Sequence, residues 1–230
     1  MPQPLRIGIV AGEFSGDLLG AGLLAALSVR APGASFEGIG GNGMIAAGCR
    51  TLFPMEKLSV MGFTEVLARY RELRGIQKSV IAHFLREPPD VFIGVDAPDF
   101  NLKIEETLRA AGIPTVHYVS PTVWAWRGYR IRQIRRAVDR MLPLFPFEAD
   151  FYRAHGVGVT CVGHPMADEI PEHIDRKAAR AQLGLSGGEP IIALLPGSRE
   201  GELKAHASLF VQTAQWLHRR HPQMRFAVPF

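Results

Sequence analysis

Short apolar runs rich in valine and isoleucine alternate with longer stretches of helical spacing along most of this chain. This alternation predicts a parallel sheet with helices on both faces, because a helix usually connects one parallel strand to the next. The predicted strands are Arg6–Val10, Ser35–Gly38, Val91–Val95, Thr115–Val119, Arg140–Leu144 and Thr160–Val162. The predicted helices cover residues 17–29, 62–86, 102–111, 129–138 and 147–154. We therefore expect a doubly wound, Rossmann-like α/β domain, in which ligands bind at the carboxyl ends of the strands.

A polar, irregular stretch from Asp168 to Asp175 resembles a linker, and it separates a first domain, 1–167, from a second unit, 168–230. The second unit contains two predicted helices, 176–183 and 200–219, and two predicted strands, 190–195 and 225–228. Two strands and two helices cannot bury both faces of an open sheet. We therefore expect the second domain to be truncated, or to be completed by something that this chain does not contain.

The composition is that of a folded globular protein, with 47% hydrophobic and 21% charged residues. The apolar runs fall short of the ~20 residues that a membrane-spanning helix needs, and the N-terminus lacks the pattern of a signal peptide. These features predict a cytoplasmic location. The net charge of +4 suits an anionic partner, either a phosphate, a nucleic acid or an acidic membrane surface.

The first strand leads into the segment AGEFSGD, which places glycines and polar groups where backbone amides and a helix N-terminus face a ligand. Glu13, Ser15 and Asp17 are therefore candidate binding residues. Ser15 and Asp17 have an alternative role as helix N-caps. The glycine-rich segment 38–43 follows the second strand, so it is interpreted as a close-approach loop and not as a dinucleotide fingerprint.

The strand Val91–Val95 ends in Asp96-Ala97-Pro98-Asp99, which places two carboxylates at the same sheet edge. A carboxylate at a strand end can be held part-buried, with a pKa raised enough to accept a proton near neutrality. Asp96 is the candidate catalytic base. Asp99 is a candidate binding residue, with the alternative that it caps a helix beginning near Leu102.

The next strand ends in HYVSPTVWAWR, where His117, Ser120 and Trp126 are candidate binding residues. The tryptophans there indicate either core packing or contact with a sugar or an acyl chain. Arginines follow within one helix-sized stretch, and they are Arg127, Arg130, Arg132, Arg135, Arg136 and Arg140. These arginines form either a solvated basic face or a patch that binds phosphates or anionic lipids.

One helix carries an apolar stripe with arginines interleaved, and the stripe consists of Phe63, Val66, Leu67, Tyr70 and Leu73. Core packing and insertion into a membrane interface both produce this pattern.

In the second unit, Gly197-Ser198-Arg199 joins a strand to a long helix. Free amides, a helix dipole and a guanidinium at such a turn suit the diphosphate of a leaving group.

Seven segments in this order resemble the lipid-A-disaccharide synthase family over essentially the whole chain: AGEFSGD, MEKLSVMGFTEVL, GVDAPDFN, HYVSPTVWAWR, LFPFE, VGHP and LLPGSR. The resemblance implies a two-domain glycosyltransferase fold of the GT-B type. It also implies an inverting reaction that joins UDP-2,3-diacylglucosamine to 2,3-diacylglucosamine 1-phosphate, giving lipid A disaccharide 1-phosphate and UDP.

By this resemblance Asp96 is the base, and Arg199 lies near the UDP phosphates. The implied partners are the acylated glucosamine lipids, UDP and the anionic inner face of the inner membrane, with no nucleic acid, no metal and no cofactor. Family members are longer, and their further segments supply most uridine contacts and form a homodimer, so we expect little activity from this chain alone. The alternatives are another UDP-sugar enzyme of GT-B fold and a non-catalytic fragment that binds membranes or nucleotides.

Overall fold

The computed structural model describes residues 4–58, 63–126, 128–185, 187–197 and 200–229, without the side chains of 63–69 and 200. The contacts between residues divide the chain into two compact units, Met1–Glu169 and Ile170–Phe230. The predicted boundary, 167/168, falls close to this division.

The first unit contains a six-stranded sheet in which every pairing is parallel. Its strands are Arg6–Ala11 (β1), Ser35–Ile39 (β2), Cys49–Thr51 (β3), Val91–Val95 (β4), Thr115–Tyr118 (β5) and Arg140–Leu142 (β6). The spatial order is β3-β2-β1-β4-β5-β6. Because the order reverses between β1 and β4, this is the topological switch point of the sheet, and ligands of such folds bind beyond the carboxyl ends of the strands there. The predicted doubly wound domain is confirmed.

Helices connect the strands of the first unit. They are Phe14–Arg30 (α1), Asn42–Ala46 (α2), Phe63–Arg86 (α3), Pro98–Ala110 (α4), Ile131–Ala137 (α5), Pro146–Ala154 (α6) and Met166–Glu169 (α7), with short 3₁₀ turns at Met55–Lys57 and Gly128–Arg130. The core fills the space between these helices and the sheet. On α3, Ile76, Val80 and Phe84 recur at helical spacing and are buried there.

Two predictions about local structure are wrong, and one short helix was not predicted, each for a physical reason. The segment 160–162 is not a strand, because β6 ends before Pro143, which has no N–H to extend a ladder, and pairing is reduced to a bridge between Met141 and Val159. The fourth helix begins at Pro98 instead of Leu102, because proline is favoured in the first helical turn. The helix α2, which begins at the end of the glycine-rich segment, was not predicted because it is too short to show periodicity. The close approach predicted for that segment is confirmed, since a Cβ on Gly41 would lie 2.7 Å from Asp17 Oδ2.

The second unit contains Arg176–Gln182 (α8), Ile191–Ala193 (β7), Glu200–Arg220 (α9) and Arg225–Ala227 (β8). The two strands pair in parallel. The side chain of Asp175 caps α8 by accepting hydrogen bonds from the amides of Lys177 and Ala178. Within the described ranges of the chain, no helix combines the length and hydropathy needed to cross a bilayer.

Candidate active site

The loops after β1 and β4 lie directly against each other at the carboxyl edge of the sheet. A Cβ placed on Gly12 would come within 2.7 Å of the Cβ of Ala97, closer than side-chain atoms approach. Glycine at position 12 therefore allows the AGEFSGD loop to contact the loop that carries Asp96 and Asp99. The two loops that the sequence predicts as ligand-binding form one surface.

Three residues near the ends of β4 and β5 have left-handed backbones although none is glycine. The φ angles are 50° at Asp96, 44° at Ala97 and 76° at Val119. Such conformations cost about 1–3 kcal/mol each and persist only where the surroundings enforce them. Here Asp96 donates its amide to Tyr118 O at 2.8 Å, and Val119 donates its amide to Leu142 O at 3.1 Å. Strain of this kind concentrates at functional sites.

Asn101 of α4 holds the strained segment from inside the protein. Its side chain is fully buried, and Nδ2 donates to the carbonyl of Asp96 at 2.8 Å and to that of Val10 at 3.2 Å. The ends of β1 and β4 are therefore fixed by one amide group. The sequence analysis did not identify Asn101; the available signal was a polar residue on the face that also carries Ile104 and Leu108.

A cleft of about 390 Å³ lies beside Asp96, and four predicted site residues line it: Asp96, Asp99, Ser120 and Trp126. Asp99 is exposed and forms an ion pair with Arg130, which also lines the cleft. Because α4 begins at Pro98, Asp99 lies within its first turn, and the alternative that it caps a helix near Leu102 is wrong.

The far wall of the cleft comes from the loop after β5. Ser120 is buried, and its hydroxyl lies 3.0 Å from the hydroxyl of Tyr152. Burial raises the pKa of Tyr152 to about 12, although the hydrogen bond with Ser120 opposes this shift, so the phenol stays protonated at neutral pH. Trp126 is 59% exposed and donates its indole N–H to Thr122 Oγ1 at 3.0 Å.

The other tryptophan of this loop lies in a surface aromatic cluster. Trp124 is 45% exposed and packs edge-on against Phe147, with ring centroids 5.0 Å apart. Phe145 stacks on Phe147. Core packing is therefore excluded for both tryptophans of the loop, since Trp126 is exposed as well.

The arginine-rich stretch is partly neutralised by neighbours on α4. Arg136 pairs with Glu106 at 2.8 Å, and the hydrogen bond to Arg136 is the main cause of a lowered pKa at Glu106. Arg130 pairs with Asp99 as described above. Arg127 lies outside the described residues.

A second, mostly apolar cavity of about 520 Å³ adjoins the cleft and shares Pro98 and Asp99 with it. Its apolar lining comes from three segments and consists of Leu58, Tyr70, Leu73, Ala97, Pro98 and Phe100. Tyr70 is 51% exposed, and the Arg74 guanidinium lies 5.7 Å from the centre of its ring. The side chains of Phe63, Val66 and Leu67 lie outside the described residues, so the rest of the predicted stripe stays a prediction.

Asp17 is directed into the protein instead of the cleft. Its carboxylate is 4% exposed and accepts hydrogen bonds from the amides of Gly41 at 2.8 Å, Gly43 at 2.9 Å and Met44 at 3.0 Å. Asp17 therefore caps α2, while the N-cap residue of its own helix is Glu13. Asp17 thus holds the glycine-rich loop in place. The other two candidates are more accessible: Glu13 is half-buried, and Ser15 is exposed. The Ser15 hydroxyl donates to Glu13 Oε1 at 3.2 Å.

His117 is fully buried, and its Nδ1 lies 2.7 Å from Oε1 of Glu105, which is also fully buried. Burial alone would lower the pKa of His117, but the charge and hydrogen bond of Glu105, together with the charge of Asp96, raise it above its usual value. A ring without exposed surface does not contact a ligand in the open cleft, so the direct contact predicted for His117 is not what the structure shows.

The predicted phosphate turn belongs to the second unit. Gly197 there has a φ angle of 121°, which favours glycine, and Ser198 and Arg199 lie outside the described residues. Their predicted roles stay predictions.

Comparison with known proteins agrees with these observations. One solved structure, titled a glycotransferase of kitacinnamycin, superposes with a TM-score of 0.58 at 15% identity, covering 100% of this chain and 66% of that one. This similarity concerns the fold alone, and it supports the predicted GT-B class.

Sequence relatives are much closer. Lipid-A-disaccharide synthases of Alkalilimnicola ehrlichii and Hahella chejuensis are 56% and 53% identical over 227 residues, which make up 98% and 99% of this chain but 59% and 57% of theirs. The synthase of Pseudomonas aeruginosa strain LESB58 is 54% identical over 229 residues, or 100% of this chain and 61% of its own. The chain thus spans about 60% of the length of these relatives. A family model described as lipid-A-disaccharide synthetase matches residues 7–230, and the chain belongs to this family.

Proposed function

We propose that this protein acts in an inverting glycosyltransferase that condenses UDP-2,3-diacylglucosamine with 2,3-diacylglucosamine 1-phosphate, giving lipid A disaccharide 1-phosphate and UDP. The observation that carries the proposal is the placement of Asp96, which lines a cleft on a strained backbone where the loops after β1, β4 and β5 come together. Strain and a part-buried carboxylate together are typical of a catalytic residue.

In the proposed reaction Asp96 is the general base. The 6-hydroxyl oxygen of the acceptor attacks the anomeric carbon of the donor, and the bond from that carbon to the UDP oxygen breaks, so that UDP leaves with the electron pair. Asp96 accepts the hydroxyl proton as the new bond forms, which makes the oxygen a stronger nucleophile. Attack on the face opposite UDP inverts the anomeric configuration.

The apolar cavity supports an acylated substrate. Tyr70 and Leu73 of α3 line it, and Pro98 and Asp99 separate it from the cleft, so a glucosamine ring beside Asp96 has an apolar space next to its acyl chains. The apolar face that buries Ile76 and Val80 against the sheet continues at helical spacing toward these two residues. Burial of a hydrocarbon chain stabilises binding by about 0.8 kcal/mol per methylene.

The remaining parts of the proposal concern the donor and the membrane. Gly197, Ser198 and Arg199 would hold the UDP phosphates, and helix dipoles and cations would offset the leaving-group charge without a metal or cofactor. The stripe on α3 would lie in the anionic inner face of the inner membrane, so that the enzyme acts as a peripheral membrane protein. A homodimer is proposed for the longer form.

A transfer assay with the two diacylated substrates tests this function. It is performed on this chain and on a version extended to the length of its relatives, with the disaccharide phosphate detected by mass. We expect product from the extended version, because a transition state that needs groups from both domains requires both. Product from neither protein would overturn the proposal.

A competing function is that of another UDP-sugar enzyme with the same fold. UDP-N-acetylglucosamine, which lacks long acyl chains, distinguishes the two. If the apolar cavity binds an acyl chain, excess UDP-N-acetylglucosamine neither replaces the diacylated donor as substrate nor competes strongly with the acylated acceptor. Efficient use of the unacylated donor would favour the competing function.

Vesicle flotation tests the membrane proposal. The double substitution of Tyr70→Ser and Leu73→Ser should reduce binding to anionic vesicles while the circular dichroism spectrum stays unchanged. Leu85→Ser is the matched control, because Leu85 is 44% exposed near the other end of the same helix. Unfolding of the double variant would show that the two residues are needed for the core instead.

A further inference from the structure

A buried charged pair lies inside the domain at β5 and α4. His117 Nδ1 and Glu105 Oε1 are 2.7 Å apart, and neither side chain has any exposed surface. Transferring two ionised groups out of water often costs more free energy than their mutual attraction regains. Such a pair therefore contributes little to stability by itself. A buried pair close to an active-site carboxylate therefore calls for a functional explanation.

The absence of a side chain at Gly94 on β4 leaves the space that this pair occupies. His117 is the register partner of Gly94 on β4, and a Cβ added to Gly94 would overlap Oε1 of Glu105. Any side chain at position 94 would therefore displace Glu105 from His117. Gly94 lies two residues before Asp96, so the pair lies directly alongside the strand that ends in the predicted base.

Helix α4 connects the pair to Asp96. Glu105 lies one helical turn after Asn101, whose side chain donates to the carbonyl of Asp96 at 2.8 Å. The negative charge of Asp96 also helps to raise the pKa of His117, and this interaction is reciprocal, so protonated His117 favours the ionised form of Asp96. The same helix thus fixes the backbone of Asp96 and carries the counter-charge of His117.

The hydrogen-bonding capacity of the pair is not fully used. Among the described residues, Nε2 of His117 and Oε2 of Glu105 are buried without a hydrogen-bond partner. Burying unpaired polar atoms lowers stability, so packing alone does not account for this pair.

We propose that His117 and Glu105 form a buried positioning pair for Asp96. Protonated His117 keeps the Asp96 carboxylate ionised and in place, and Glu105 balances the imidazolium, so that Asp96 still accepts a proton. His117 and Glu105 are positioning residues, since neither reaches the cleft. The inference rests on the proposed function of Asp96 as the base.

Nuclear magnetic resonance of the histidine rings in this chain tests the pair without any need for activity. The His117 signal is assigned by its loss in His117→Gln, and exposed His173 is the internal reference. We expect His117 to remain doubly protonated above pH ~6.5, where an ordinary histidine becomes neutral. Asp96→Asn should shift the titration midpoint of His117 downward, and Glu105→Gln should shift it further.

Asp99→Asn is the matched control, because it removes an equal charge from the same cleft but not from the surroundings of His117. The midpoint of His117 should be the same in this variant as in the parent. An unchanged midpoint in Asp96→Asn, or a neutral His117 in the parent at pH ~6.5, would overturn the inference. Asp96 lines an open cleft, so Asp96→Asn is expected to fold even if Glu105→Gln does not.

Transfer kinetics in the extended version supply a second measurement. His117→Gln should lower kcat about tenfold or more with little change in KM, and it should displace the acidic limb of the pH profile. A merely structural role would lower the amount of folded enzyme and leave that limb in place. Absence of transfer in the parent would refute the proposed function, whereas the ring titration would still decide whether the three groups are coupled.

Discussion

Two conspicuous aspartates follow neighbouring strands at the same edge of the sheet: Asp17 lies in the first turn of α1, which follows β1, and Asp96 comes directly after β4. The carboxylate of Asp17 is buried and accepts hydrogen bonds from three backbone amides of the glycine-rich loop. Asp96 instead lies on a left-handed backbone and lines an open cleft. Aspartates that follow neighbouring strands of a doubly wound sheet thus serve the architecture in one case and, as we propose, the chemistry in the other.

The two aspartates differ in the hydrogen bonds that they make. The carboxylate of Asp17 accepts hydrogen bonds from the glycine-rich loop after β2, so that loop depends on the side chain of Asp17. The backbone of Asp96 is held by another side chain, that of Asn101. The carboxylate of Asp96 can therefore be changed without removing the contact that holds its backbone.

The largest effect is expected from Asp96→Asn. Turnover in the extended enzyme should fall by about 10²–10⁴, the range that general base catalysis contributes, while the free energy of unfolding changes little. Asparagine is well suited here because it tolerates a left-handed backbone better than alanine does. Kinetics and urea denaturation are measured on the same preparation, with exposed Asp150→Asn as the control. Unchanged turnover would remove Asp96 from the role of base.

Asp17→Ala should give the opposite result. Three amides lose their acceptor, and we expect the free energy of unfolding to fall by about 3 kcal/mol. Asp17→Asn retains one oxygen and should have a smaller effect. Urea denaturation of both variants measures the loss. If Asp17→Ala were as stable as the parent but had lost donor or acceptor binding, the roles assigned to the two loops would need to be exchanged.

Sequence reasoning predicted the parallel sheet and the edge at which Asp96 lies, because strand periodicity and proline positions are local signals. The strand Val91–Val95 has the predicted bounds. The partner of Asp17 was not predictable in this way, since the amides of Gly41 and Met44 come from a segment whose helix is too short to show periodicity. Hydrogen bonds between distant segments depend on tertiary structure, which periodicity does not report.

The polar residues behind the cleft were missed for a related reason. Asn101 and Glu105 lie on the buried face of α4, one helical turn apart, and a periodic analysis treats polar residues on such a face as exceptions. Their role depends on the carbonyl of Asp96 and the ring of His117, which come from two other segments. A search for paired polar residues on an otherwise apolar helix face would have selected both.

Gly94→Ala tests whether the loop after β4 depends on the packing behind it. The added Cβ would overlap Glu105, so the free energy of unfolding should fall by about 1–3 kcal/mol, as for overpacked cores. Gly75→Ala is the control, because position 75 has open space and a helix favours alanine there by about 1 kcal/mol. Thermal denaturation compares them. Equal stability of Gly94→Ala and the parent would show that Glu105 moves without cost.

The smallest effect is expected from Ser15→Ala, at an exposed position in the first turn of α1. Ser15 donates one hydrogen bond to the side chain of Glu13, and neither residue is buried. We expect the free energy of unfolding to change by less than about 0.5 kcal/mol, as for surface substitutions, and kcat/KM in the extended enzyme to fall by up to about tenfold, the value of one hydrogen bond. A loss of stability with unchanged kinetics would contradict this division, because the whole loop after β1 would then be architectural and the binding surface would be confined to the loops after β4 and β5.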